Sequence, residues 1–169
     1  MCRWLAYTGA PILLTDVLYT PVHSLIDQSL HSKLGAETTN GDGFGVGWYD
    51  AAPVPEVFRS IESAWNDQNL RELAGHIDTT DGETIWAFRY STVGKSRSLF
   101  FTRDVRTLRE QYPDREILRE VSDDARLVVS EPIGDLPGAW EEMPEATCAV
   151  IRMGEDRLLP FHPEPPDGR

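Results

Sequence analysis

Cysteine is scarce in this chain: there are two in 169 residues, Cys2 and Cys148, far apart in sequence. Such a pair builds neither a disulfide framework nor a thiolate metal cluster, and it fits a reducing compartment. Basic residues are also few, with 16 Lys and Arg against 28 Asp and Glu and a formal charge of −12. That balance argues against nucleic acid and anionic membrane surfaces, which call for a basic face, and leaves small molecules or proteins as partners. Long apolar runs are missing too. The start MCRWLAYTGAPILLTDVLY is broken by Gly9 and Pro11 and has no cationic lead, so it does not read as a signal peptide, and no segment is long enough to span a bilayer. The expected location is the cytoplasm. The histidines, His23, His31, His76 and His162, lack HxxxH or HxH spacing. No metal site is expected from them, and they read as surface or helix-end residues.

What is present points to a folded domain. The hydrophobic fraction is 40%, and the Trp, Tyr and Phe residues are spread along the chain, enough to bury a core. One domain is expected over residues 1–163, followed by a loose Pro-rich tail over 164–169. The pattern is mixed helix and strand. RWLAYT reads as a strand, Thr15 or Asp16 can cap a brief helical turn, and SLIDQSLHSKL is a helix with Ser24 as N-cap and Gly35 as its stop. FGVGWY and EVFRS read as strands, and Asn66 or Asp67 caps the helix QNLRELAGHI. Further on, ETIWAFRYS and RSLFFTR are expected as a strand pair, then come the helices DVRTLREQY and REILREV and the strands ARLVVSE, TCAVIRM and RLLPF. Helices between strand pairs predict sheets covered by helices. Cys148 alternates into an apolar strand and reads as core, as do Trp86 and Trp140, while Glu141, Glu142 and Glu145 read as a solvated loop.

Two places stand out. Asp81-Gly82 is a good two-residue hairpin turn whose first strand is missing, although a plain helix-to-strand loop is an equal reading. The segment TTNGDGFGVGWYD places Gly41, Gly43 and Gly45 around Asp42 at the entry to an apolar strand. Such glycines admit positive φ or close approach of another group, so the loop can line a pocket, and a plain hairpin or bulge is the alternative. No Lys-Ser/Thr follows and no helix begins there, which excludes a phosphate loop.

Taken together, MCRWLAYTG, HSLIDQSLHS and ETTNGDGFGVGWYD resemble the class II glutamine amidotransferases, in particular their stand-alone single-domain branch. DGETIWAFRYST, SRSLFFTRDVRTL and LVVSEPIGDLPGAWEEMPE resemble the end of the same domain. The resemblance implies an α+β fold, the αββα sandwich of the N-terminal-nucleophile hydrolases. It also implies that Cys2, once Met1 is trimmed, is a nucleophile that attacks glutamine or a γ-glutamyl amide and forms a thioester. The freed α-amine, with an ordinary pKa near ~8, would take the thiol proton. Asn40, Gly41, Asp42 and Gly43 would form a substrate-binding, pocket-lining loop. No cofactor or metal is implied, and a separate ammonia-accepting synthase is the implied partner.

The same comparison shows a gap. Between His76 and the strand ETIWAFRYS the family carries a further segment, with a His-x-Arg stretch that holds the substrate carboxylate and an Asn-Gly pair that forms the oxyanion hole. Neither is found in place here; Asn40-Gly41 belongs to the glycine-rich entry, and Arg89 with Thr92 in FRYST matches the late strand instead. The expectation is therefore an incomplete sandwich with an internal deletion near residues 76–81. Three readings of function follow: a γ-glutamyl amide hydrolase or amidotransferase, a catalytically impaired remnant or binding module, and an N-terminal-cysteine acylase acting on another amide.

Overall fold

The computed structural model describes residues 3–34, 37–49, 54–79, 84–102, 104–134, 136–152 and 155–163. Cys2, the Asp81-Gly82 turn and the 164–169 tail lie outside them.

The chain opens with β1 (Leu5–Thr8) and β2 (Ile12–Leu13), which runs directly into α1 (Leu14–Leu18). No side chain caps α1, contrary to the expectation for Thr15 or Asp16. Its first amide is satisfied by a distant group instead, Leu14 N–H donating to the Ile77 carbonyl at 3.1 Å. Helix α2 (Leu25–Leu30) has the expected cap, the Ser24 hydroxyl accepting from the Asp27 amide at 3.3 Å. It ends before the expected stop, because His31 leaves helical geometry and the next two residues turn to a buried carboxylate. The Ser32 hydroxyl and the Lys33 amide donate to Glu131 at 2.8 and 2.7 Å. Leu34, the last residue of the expected helix, is exposed as a result.

Strands β3 (Phe44–Trp48) and β4 (Glu56–Ser60) form an antiparallel ribbon in register from Phe44 opposite Ser60 to Trp48 opposite Glu56. Asp67 caps α3 (Gln68–Ala74) by accepting from the Leu70 amide at 2.9 Å, and Leu70 and Ala74 are buried. The short strand β5 (Asp78–Thr79) pairs with β2. Then come β6 (Ile85–Arg89), β7 (Phe100–Thr102), α4 (Val105–Gln111), α5 (Ile117–Glu120), β8 (Arg126–Val129), β9 (Trp140–Glu142), β10 (Thr147–Arg152) and β11 (Glu155–Pro160).

Two antiparallel sheets dominate, in the orders β1-β8-β7-β9 and β11-β10-β6. The expected β6–β7 pair is therefore absent: each strand sits in a different sheet. The intervening segment is drawn across by the Ser98 hydroxyl, which donates to the Ser130 carbonyl, and by the Met143 amide, which donates to the Leu99 carbonyl. The two sheets face one another over a core of Ala87, Leu99, Phe101, Val128, Met143, Ala149 and Ile151. Strand alternation turns Leu127 to the other side, where it packs with α1 and α3 through Val17, Leu18, Leu70 and Ala74. A further cluster, Leu108, Leu118 and Ala139, seats α4 and α5. The class is α+β, with helices against one sheet and the second sheet on its opposite face.

Two local expectations change. Glu141 and Glu142 lie on β9 rather than in a loop, at the edge of the larger sheet, where exposed carboxylates are tolerated. Trp86 is not core: it stands 59% exposed beside Phe88, 53% exposed, on the outer face of β6, over which no described helix packs. Cys148 is buried as expected. Strand β6 pairs with β10 alone among the described residues, so its second edge has no described partner.

Candidate active site

The segment that follows Cys2 is held by its backbone. The Trp4 amide donates to the Ser130 hydroxyl at 3.1 Å, and the Ser130 amide donates to the Trp4 carbonyl at 3.1 Å. Beyond it, β1 pairs with β8 from Leu5 opposite Val129 to Thr8 opposite Arg126. The start of the chain is thereby clamped against the residue that opens the Ser130-Glu131-Pro132 run.

Arg3 and Trp4 line a cleft of about 420 Å³ whose other walls are α1 and the glycine-bearing strand β3, with Trp48 and Tyr49 at its rim. An adjoining chamber of about 260 Å³ also meets Arg3 and includes Asn40 and Gly43. Arg3 is the single charged residue among the described residues that line the two spaces, and its guanidinium donates to the Glu37 carbonyl at 3.3 Å. Among the described residues, the arrangement offers one cation in an aromatic-walled space.

The four loop residues singled out from the sequence divide. Asn40 and Gly43 line the chamber, and the Asn40 amide is fixed by the Ser29 carbonyl at 2.7 Å. Gly41 and Asp42 are exposed and line neither space. Gly43 has φ +93°, and a Cβ there would sit 2.7 Å from the Ser60 carbonyl oxygen. Both the backbone angle and the close approach require glycine.

Sequence reasoning missed a buried polar network next to this region. His23, expected at the surface, is 7% exposed and has φ +56°. Its ring nitrogens face Glu131 at 2.7 Å and Asp27 at 3.0 Å, and Asp27 in turn meets His31 at 2.9 Å. Fully buried Gln28 donates to the carbonyls of His23 and Glu131, both at 3.1 Å. Burial pushes the Glu131 carboxyl up, but hydrogen bonds from the Lys33 amide, His23 and Ser32 outweigh it and hold it below the usual carboxylate range. Asp27 is likewise lowered, first by its hydrogen bond with His31 and then by His23, against the effect of burial. The available signals were Gln28 within the α2 stripe and a glutamate directly after an apolar strand. No group of three or more metal-ligating side chains is found among the described residues.

No protein-family profile matches the chain. It is 40% identical over 104 residues to a Saccharomyces cerevisiae protein named "Probable glutamine amidotransferase", a match covering 56% of this chain and 28% of that one. It is 33% identical over 95 residues to a γ-glutamyl-hercynylcysteine sulfoxide hydrolase of Mycolicibacterium smegmatis, covering 56% of this chain and 41% of that one. A solved glutamine aminotransferase class-II domain protein from Silicibacter pomeroyi superposes with a TM-score of 0.65 at 18% identity, over 97% of this chain and 100% of that one. The chain is similar in sequence to a named glutamine amidotransferase and to γ-glutamyl hydrolases. It spans well under half the length of the curated amidotransferase and hydrolase relatives that it matches. The structural likeness to the class II domain is one of fold.

Proposed function

We propose that this chain carries γ-glutamyl amide chemistry at Cys2, on an N-terminal-nucleophile hydrolase scaffold that has lost a central segment near residues 76–81. The observation that carries the reading is that Arg3 and Trp4, the residues directly after Cys2, line a cleft whose opposite wall is the glycine-bearing β3. With Met1 removed, the α-amine accepts the thiol proton and the Cys2 sulfur attacks the side-chain carbonyl carbon of glutamine or a γ-glutamyl amide. The C–N bond breaks, the amine leaves carrying that proton, and water then cleaves the thioester to glutamate and the free thiol. The facing sheets supply the middle layers of an αββα sandwich. The outer face of β6, over which no described helix packs, is where a further helical layer would sit, which supports the deletion. A single domain over 1–163, a cytoplasmic location and a separate synthase as ammonia acceptor complete the reading.

The second edge of β6, which has no partner among the described residues, favours a companion reading in which turnover is impaired. One oxyanion donor is worth ~10²–10³ in turnover, and without the Arg clamp the substrate carboxylate is not held for attack. Ammonia and glutamate release from purified chain tests both readings. On the impaired reading, turnover is at least about a thousandfold below that of a full-length relative and Cys2→Ala changes little. A robust Cys2-dependent rate would show a rebuilt site. Cys2-dependent cleavage confined to non-glutamyl amides would identify an acylase and overturn the γ-glutamyl assignment.

A further inference from the structure

Trp4 also borders a second, larger groove of about 550 Å³, together with the end of β6 and the 91–98 loop. In a chain where acidic residues outnumber basic ones 28 to 16, its lining holds Arg89, Lys95 and Arg97 and, among the described residues, no carboxylate. Arg89 is already committed, its guanidinium donating to Glu142 at 2.7 Å and to the Ser96 hydroxyl at 3.1 Å. Lys95 and Arg97 are exposed, and their side chains have no partner among the described residues. The loop that carries them is built rather than loose. The Gly94 amide donates to the Ser91 carbonyl at 3.1 Å, and the Ser96 amide is held by Glu145 at 3.0 Å.

The walls beside these cations are aromatic and fixed. Phe161 stands edge-on to both Phe88 and Tyr90, with centroids 5.0 and 5.6 Å apart, and Phe88 and Tyr90 join Trp4 in lining the groove. Unpaired cations beside preordered ring faces suit a flat apolar body that carries an anionic head, because the rings take the body while the guanidinium and ammonium take the charge. The volume lies within the range of small-molecule sites.

We propose that this groove is a binding subsite for a small planar carboxylate, with Lys95 and Arg97 holding the carboxylate and Phe88, Tyr90 and Trp4 the body. The proposal is independent of the chemistry assigned to Cys2. Calorimetric titration of the full chain with 4-phenylbutyrate and with its neutral amide tests it. The acid is expected to bind at least about tenfold more tightly than the amide. The Lys95→Ala/Arg97→Ala variant should reduce acid binding to the level of the amide without changing amide binding. The control Arg106→Ala/Arg119→Ala, with the same change in net charge elsewhere, should leave the acid affinity as it was, and circular dichroism should show both variants folded. Equal binding of acid and amide, no binding of either, or acid binding that persists in the loop variant or falls equally in the control would overturn the proposal.

Discussion

His23 and Glu131, 108 residues apart in sequence, meet in the interior with 2.7 Å between ring nitrogen and carboxylate oxygen. This contact joins the turn ahead of α2 to the segment that clamps Trp4. A charged group so placed is sustained by its hydrogen bonds and costs stability when they are removed.

The Glu131 carboxyl is held below its ordinary value of 4.5, so its ionised form favours the fold. That contribution is complete above the ordinary carboxylate range and is lost as pH falls through the lowered folded value. Urea unfolding of the parent chain is expected to show stability falling on acidification below pH 4.5, the ordinary value. Glu131→Gln should lose about 1–3 kcal/mol at neutral pH and show a flatter acid limb. An unchanged acid limb in the variant would assign the loss to other carboxylates.

Gly43→Ala should be costly for two reasons already visible, the positive φ and the Ser60 carbonyl 2.7 Å from the new Cβ. A loss of about 2–4 kcal/mol is expected, against about 1 kcal/mol or less at Gly45, where the nearest atom to an added Cβ is a flexible arginine methylene at 3.6 Å. Denaturant midpoints of the two variants, measured side by side, check the ordering.

Much of the secondary structure was legible because its causes are local. Ser24 and Asp67 announce their helices by capping chemistry, and the short apolar runs in β8 and β10 mark strands buried on both faces. What failed depended on distant partners. Helix α1 starts where Ile77 supplies a carbonyl, α2 stops where Glu131 captures Ser32 and Lys33, and β6 and β7 part because Ser130 and Met143 hold the chain between them. His23 carries no local mark of burial, since its partner lies in another element. At the site, Asn40 and Gly43 could be read from the glycine-rich entry, whereas Arg3 and Ser130 acquire their significance only through contacts across the fold.

Ser130→Ala removes the acceptor of the Trp4 amide while leaving the reciprocal backbone bond. A modest loss of about 1 kcal/mol is expected, with Ser130→Thr restoring it. Hydrogen exchange at the Trp4 amide should accelerate in the alanine variant. Exchange unchanged from the parent would show that the hydroxyl does not hold this segment.

Intact mass should show Met1 removed, because the next side chain is small. A glutamine-like electrophile should then label Cys2 in preference to buried Cys148. Retained Met1, or equal labelling of the two thiols, would count against Cys2 as the nucleophile.

Strand β5 is tied to β2, whereas β6, which resumes after five intervening residues, is tied to β10. No described ladder runs across that join. The chain length between the two strands is therefore set by reach and loop-closure entropy, which rises only logarithmically, by about 0.6 kcal/mol for each doubling. A fold with such a seam can gain or shed a whole subdomain there while every other register stays as it is, so its descendants can differ greatly in length and still superpose.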